Sequence, residues 1–377
     1  MQRWLKVALL SLWLGLPALA QTLPVPSILD VASPKAAEVS TLFWWVIGLS
    51  VLVMLAVTAF LGAIIWRGLK DRQRTEEPPQ THGNVALEVM WTVVPLLIVG
   101  VLFALTAIST FRLHGLAAPQ DALHIRVVGW QFWWEMRYAE EGIVTANELV
   151  VPVGRPVRLE LTSGDVIHSF WIPQLAGKTD MIPGQVRYLW FTPKRPGIFH
   201  GQCAELCGDS HANMLLRAIV LPPEEFAAWV AAAQQAPAAP VDALAQQGSQ
   251  LFVQRGCITC HTVLERRTAP RPGPDLSHIG SRTSIAAGVL PNNREAMMRW
   301  LMHPEIVKPG NLMPNLGLDQ TEAEALAAYL ETLALPGFDL RAAIDVALDG
   351  GPSNQIDAYG YLVDTDTPAK ELALERP

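Results

Sequence analysis

Cys203-Ala-Glu205-Leu-Cys207-Gly-Asp-Ser-His211-Ala-Asn-Met214 gathers two thiols, an imidazole and a thioether in one short stretch. Thiolate and thioether donors joined by imidazole select copper over hard cations, and a thioether gives no reason to choose zinc. A mononuclear blue-copper site uses one Cys, two His and a Met. The second Cys in the same loop instead allows two bridging thiolates to hold two coppers. A further imidazole must come from elsewhere, and His168, in Asp165-Val-Ile-His168-Ser-Phe at a predicted strand end, is the best placed. A structural disulfide between Cys203 and Cys207 is the competing reading. It explains neither His211 nor Met214 at their offsets.

The cluster closes a strand-rich stretch from Ala122 to Leu221. Leu123, Ile125 and Val127 alternate, as do Val157, Leu159 and Leu161, and Pro152-Val-Gly154 and Pro183-Gly184 punctuate them. Period-two alternation bounded by turn residues marks strands, and a succession of short strands predicts a sandwich. Upstream, Leu42 to Trp66 and Trp91 to Phe111 carry no charged residue, and each is long enough to span a membrane. Arg67, Lys70, Arg72 and Arg74 lie between them, which keeps that loop on the cytoplasmic side and sends the rest of the chain outward. Arg3 and Lys6, the apolar run Val7 to Leu19 and Ala18-Leu19-Ala20 read as a secretory signal. An uncleaved anchor helix is the alternative.

Downstream, residues 231–247 turn to Ala, Gln and Pro, a composition that builds no core and reads as a linker. Beyond it, Leu251-Phe-Val253, Met297 to Met302 and Ala323 to Leu333 have helical character and predict a small all-α domain. It contains Cys257-Ile-Thr-Cys260-His261, the c-type haem attachment signature, in which two thiols bond the vinyl groups and the His becomes an axial ligand. Zinc would need two further ligands at paired spacing, and a thioredoxin-like pair would need a βαβ context. Met313, in Asn311-Leu-Met313-Pro314, is the candidate sixth ligand, with His278 and His303 as alternatives. Met297, Met298 and Met302 suit a helix core face, and His82, His114, His124 and His200 carry no ligand spacing. The expected boundaries are a signal peptide at 1–20, a transmembrane hairpin at 21–112, a copper domain at 113–230, a linker at 231–242, a cytochrome domain at 243–337 and a loosely ordered tail at 338–377.

Composition agrees with this layout. Only 17% of the 377 residues are charged and 50% are hydrophobic, a charge deficit relative to soluble chains that points to membrane segments. A net charge of −7 gives no attraction for phosphate backbones, so nucleic acid is not an expected partner. The four cysteines form two close pairs with none left over.

The loop Cys203–Met214 matches the pattern C-x-E-x-C-G-x-x-H-x-x-M, and the chain thereby resembles subunit II of the haem-copper cytochrome c oxidases. The resemblance extends to the hairpin, to Glu88-Val-Met-Trp91-Thr-Val-Val-Pro95, to the aromatics near Trp130 and to Lys178-Thr-Asp180-Met-Ile-Pro-Gly184. It implies a multidomain chain: a transmembrane α-helical hairpin, a cupredoxin-like Greek-key β-sandwich and an all-α cytochrome c domain. It implies dinuclear copper on His168, Cys203, Cys207, His211, Met214 and the backbone carbonyl of Glu205. The Glu205 carboxylate would face a magnesium ion shared with subunit I. It also places Glu88 at the mouth of a proton pathway into the catalytic subunit; an interfacial Glu reaching to water is the alternative reading. In the family a Trp receives electrons from soluble cytochrome c, whereas the aligned position here is Phe132, with Trp130, Trp133 and Trp134 as candidate substitutes. Packing or interfacial anchoring is the other reading of these aromatics.

A covalent haem fused behind a copper domain resembles the caa-type oxidases. The resemblance implies a proton-pumping terminal oxidase of the bacterial plasma membrane, with copper and haem domains on the outer face. Electrons would pass from a cytochrome c or a quinol-cytochrome c reductase to the haem, then to copper, then to subunit I, where oxygen becomes water; subunit III is a further expected partner. A flexible linker would keep haem and copper at millimolar effective concentration. No catalytic residue is expected in this chain. A copper-containing nitric oxide reductase subunit and a membrane-anchored copper-delivery protein are the alternatives. The latter predicts a βαβ pattern, no Met214 and no haem.

Overall fold

The computed structural model describes residues 27–72, 83–114, 117–263 and 272–347. The expected signal peptide, Arg74 of the basic loop and the last thirty residues of the expected tail lie outside them. Two compact units are present, Pro34–Ala117 and the remainder of the chain.

The first unit is a hairpin of α1 (Pro34–Lys70) and α2 (Val85–His114). Both helices run past the uncharged stretches that predicted them, because helical hydrogen bonding continues into their charged flanks. Their large apolar side chains, such as Phe60, Trp66, Leu96 and Phe103, are exposed over most of their length. That arrangement is stable only in an apolar solvent. Near one end Glu38 accepts hydrogen bonds from Ser109 Oγ (2.9 Å) and Arg112 Nη1 (3.3 Å), which pins the helices together where their sequences turn polar.

The second unit contains a sandwich of two five-stranded sheets. One has the order β3 (Ile143–Ala146), β2 (Trp133–Tyr138), β1 (Leu123–Trp130), β5 (Val157–Ser163), β8 (Arg187–Phe191). The other has the order β4 (Glu148–Pro152), β10 (Leu215–Leu221), β9 (Gly197–Cys203), β6 (His168–Trp171), β7 (Thr179–Met181). Parallel pairing of β1 with β5 sets Ile125 beside Leu159 and Val127 beside Leu161, so the two alternations read from sequence point into one core. Strand β4 is buried throughout. Behind the sandwich α3 (Pro223–Ala233) packs its Trp229 ring 5.2 Å from that of Tyr138. The expected linker therefore begins inside a helix, with Ala232 in the core.

The cytochrome domain consists of α4 (Ala243–Gln254), α5 (Arg294–Met302), the short α6 (Pro304–Val307) and α7 (Gln320–Thr332) around Phe252, Leu301, Leu326 and Leu330. Between them Ser284–Ile285 (β11) pairs with Leu290–Pro291 (β12). Asp319 caps α7 reciprocally with Glu322, the capping box that satisfies two orphan donors at a helix start. The expected loose tail departs from expectation at its beginning. Leu340–Ala347 forms α8, whose Leu340, Ala343 and Ile344 enter the sandwich core rather than the cytochrome core. Their i, i+3, i+4 spacing gives one apolar stripe that needs a partner.

The two domains of this unit share a polar seam. Glu148 Oε1 accepts from Thr283 N (2.8 Å), Thr283 Oγ1 (2.7 Å) and Ser284 N (2.9 Å), and Arg217 Nη1 donates to Thr283 Oγ1 (2.7 Å). Lys308 Nζ donates to the Phe132 carbonyl (2.7 Å) and the Ala286 carbonyl (3.1 Å). Glu148, Arg217 and Lys308 are all buried. Such groups hold a fixed geometry, because separating them strands charges. The expectation of a freely tethered cytochrome domain thus gives way to a docked one.

Candidate copper and haem sites

Strand β6 begins at His168 and strand β9 ends at Cys203, neighbours in one sheet through the pairing of Phe170 with Cys203. That register brings an imidazole thirty-five residues away in sequence to the loop carrying the other donors. His168 Nδ1 lies 3.9 Å from Cys203 Sγ, the two Sγ atoms lie 3.8 Å apart, and Cys207 Sγ lies 3.6 Å from His211 Nδ1 and 3.8 Å from Met214 Sδ. The Glu205 carbonyl is 3.2 Å from Cys203 Sγ, while its carboxylate points to the surface, 4.0 Å from Lys178 Nζ. All six expected copper donors converge. Among the described residues His168, Cys203 and Cys207 form the one group of His, Cys or acidic side chains close enough to share a metal. Both cysteines are free thiols, so the disulfide reading is not what this geometry presents.

The cluster is buried and electrostatically paired. The hydrogen bond with Cys207 is the largest influence holding the Cys203 thiol well below its ordinary pKa, while the same bond and burial push Cys207 up. Burial opposes a charged His168, but its hydrogen bonds to Asp165 and Cys203 outweigh that and raise its pKa. His168 Nε2 bonds the Asp165 carboxylate at 2.8 Å, an acceptor, so Nε2 carries the proton and the Nδ1 lone pair faces the thiolates. Asp165 also accepts from the Gln131 and Val166 N–H groups, each at 2.6 Å. Sequence reasoning missed Asp165, although it stands three residues before the His it orients. A carboxylate behind a ligating imidazole is the usual support for a metal site.

Cys257, Cys260 and His261 line a cavity of about 350 Å³ together with Met313, while His278 and His303 stand outside it. His278 instead bonds the Gln235 carbonyl at 2.9 Å, and His303 is exposed. His261 Nδ1 lies 2.9 Å from the Pro274 carbonyl; a carbonyl only accepts, so Nδ1 is protonated and Nε2 is free for a metal. Burial holds His261 below its usual pKa, in the neutral form that ligates. Gly273 makes this approach possible, since a Cβ there would stand 2.6 Å from His261 Cε1. Two thiols, a neutral imidazole and a thioether around a mostly apolar hollow fit a covalently bound haem.

The aromatics divide. Phe132 and Trp133 line the haem cavity from the copper domain, and Phe132 also packs on Gly208, next to Cys207: a Cβ on Gly208 would lie 3.1 Å from Phe132 Cζ. Gln131 Nε2 donates to the Cys207 carbonyl at 2.6 Å. Trp130 stacks on Trp133 with centroids 6.3 Å apart. Trp134 is fully buried, its ring 6.1 Å from that of His168. Glu88 is exposed in the first turn of α2.

Comparison with known proteins identifies the domains in which these residues lie. Residues 24–112 match the transmembrane domain of cytochrome c oxidase subunit II, residues 139–221 its periplasmic domain and residues 245–334 cytochrome c. Cytochrome c oxidase subunit 2 of Alkalihalophilus pseudofirmus is 38% identical over 314 residues, covering 81% of this chain and 91% of that one. The subunit 2 of Bacillus sp. strain PS3 is 38% identical over 70% of this chain and 79% of that one. The crystal structure of the periplasmic domain of subunit II of the Bradyrhizobium japonicum oxidase is 36% identical, covering 31% of this chain and 97% of that one with a TM-score of 0.31. The periplasmic-domain family implies copper and the cytochrome c family implies haem, and two apolar helices before such a domain make a membrane protein with an outer-face portion. A chain with these two donor sets, this order of domains and these relatives belongs to the cytochrome c oxidase subunit II family, as a haem-copper oxidase subunit with a cytochrome c domain fused behind its copper domain.

Proposed function

We propose that this subunit receives electrons into a haem c on Cys257, Cys260, His261 and Met313 and hands them internally to a dinuclear copper centre on His168, Cys203, Glu205, Cys207, His211 and Met214. When bound, these groups supply one-electron transfer from an external cytochrome c or quinol-cytochrome c reductase toward subunit I, where oxygen is reduced to water and protons are pumped. The observation that carries the reading is Phe132, which borders the haem cavity on one side and the copper loop at Gly208 on the other.

Phe132 is 5% exposed, beneath the docked cytochrome domain. A soluble donor has no access to the position where the family places its Trp, so donors meet the cytochrome domain first. Lys308 fixes the Phe132 backbone and Gln131 ties that turn to Cys207. Together they hold the path between sites without a diffusive step. Asp165 orients His168, and Pro274 orients His261. The Glu205 carboxylate, turned outward, is available to a magnesium ion at the subunit I face, and Glu88 to proton uptake on the opposite side of the membrane. The chain sits in the bacterial plasma membrane with subunits I and III.

The test is the copper-to-iron ratio of the purified full-length chain with its electron paramagnetic resonance spectrum. Two coppers per covalent haem, with one unpaired electron spread over both nuclei and that signal lost on Cys207→Ser, is the expected result. One copper with a localised spectrum overturns it.

A further inference from the structure

We propose that the haem carboxylates are received at the seam between the two domains, by the indole N–H of Trp133 from the copper domain and by the cationic groups of Arg282 and Lys308 from the cytochrome domain. This rests on the haem reading of Cys257, Cys260 and His261 given above, and makes the haem site a joint product of both domains.

All three side chains line the cavity that holds the haem-attachment residues. Arg282 is 6% exposed; its Nη2 donates to the Asp275 carbonyl at 2.6 Å, while its Nε is buried with no hydrogen-bond partner among the described residues. Trp133 is 7% exposed and its Nε1 is likewise buried without a partner. Lys308 is 4% exposed and its ammonium meets only two neutral carbonyls, those of Phe132 and Ala286. No carboxylate within 4.0 Å of either cation is found among the described residues. Burial pushes the Lys308 amine down to about 7 and lowers Arg282 as well, against the opposing pull of Cys207 on the first and of Asp275 and Glu148 on the second.

The three residues border one short strip of chain. Arg282 begins it, Lys308 binds the Ala286 carbonyl within it, and Trp133 packs on Ala287 at its end. Glu148 holds the strip to the copper domain through Thr283 and Ser284. Two buried cations with no carboxylate in contact, and two orphaned N–H groups, beside an apolar hollow are costly as they stand. A planar apolar macrocycle bearing two carboxylates on one edge supplies what each lacks, because charge-assisted hydrogen bonds to carboxylates are the strongest these donors make. The neighbouring carboxylates Asp275 and Glu148 favour the Arg282 charge through space but form no ion pair with it: Glu148 Oε1 is taken by Thr283 and Ser284, and Asp275 by Thr262.

The experiment uses the full-length, haem-loaded chain in detergent, with Trp133→Phe, Arg282→Gln and the surface control Arg294→Gln. The readouts are the resonance Raman propionate bending band and the haem midpoint potential at fixed pH. The band in the unmodified chain is expected to shift in D2O, since its donors exchange. It is expected to move in Trp133→Phe and Arg282→Gln and to stay in place in Arg294→Gln. Loss of the Arg282 charge favours ferric haem by on the order of tenfold, with a smaller change of the same sign for Trp133→Phe. A band that ignores D2O in the unmodified chain overturns the proposal even if a variant fails to fold, as do unchanged bands and potentials in both folded variants. Absence of covalent haem from the unmodified chain, read by the pyridine haemochrome spectrum, overturns the underlying haem assignment and this proposal with it.

Discussion

At the scale of single residues, the site is organised by groups outside the cluster of sulfur and imidazole donors. Asp165 sets which His168 nitrogen carries the proton; burial opposes its own charge, but the bond with His168, and after it those from the Gln131 and Val166 N–H groups, hold its pKa below the usual range. Asp165→Asn keeps the size of the side chain and removes the anion. Copper retention is expected to fall about 10–100-fold, measured by competition against a chelator, with the haem spectrum unchanged. Equal retention would show that His168 is oriented by packing alone. Phe132 makes a different point. The resemblance leads one to expect a Trp there, and on the proposed reading a Phe suffices because the position is covered by a docked domain instead of facing solvent.

At the scale of elements, caps and connections carry separable amounts of stability. Asp319 and Glu322 close the start of α7, whose Leu326 and Leu330 wall the haem cavity. Asp319→Ala is expected to cost about 1 kcal/mol, visible as a lower denaturant midpoint of the cytochrome domain. The connection between the domains is held by His278 to the Gln235 carbonyl. Burial lowers the pKa of His278 below 6.5 despite that bond, so the unfolded chain binds a proton more readily. This contribution is complete above pH 6.5 and is lost as pH falls below it through the folded value. Thermal stability of the full chain is expected to decline over that window and to decline less in His278→Gln. Parallel curves for the two proteins would remove His278 from the account.

At the scale of the whole molecule, the chain passes from the copper domain through the cytochrome domain and then returns. Leu340, Ala343 and Ile344 of α8 complete a core begun more than two hundred residues earlier at Leu123. Ending the chain at Gly337 removes two large buried side chains, worth roughly 3–6 kcal/mol together. The loss is expected to appear in unfolding of the copper domain, followed by tryptophan fluorescence, more than in the haem Soret band. A cytochrome domain that melts first would contradict the placement of α8.

Sequence alone determined what is local. Cys203 to Met214 and Cys257 to His261 carry their chemistry at short spacings, the alternation at Leu123–Val127 and Val157–Leu161 announces strands, and two uncharged apolar runs announce the hairpin. Each is fixed by the geometry of one loop, one strand or one helix, so it is written in consecutive residues. Only the tertiary structure decided the gathering of His168, with Asp165 behind it, onto the Cys203–Met214 loop, the burial of Phe132, the reach of Lys308 across 176 positions to its carbonyl and of Glu148 across 135 to Thr283, and the return of α8. Those contacts leave no periodic trace. They arise from which surfaces bury each other, a choice made by packing and charge satisfaction between distant segments.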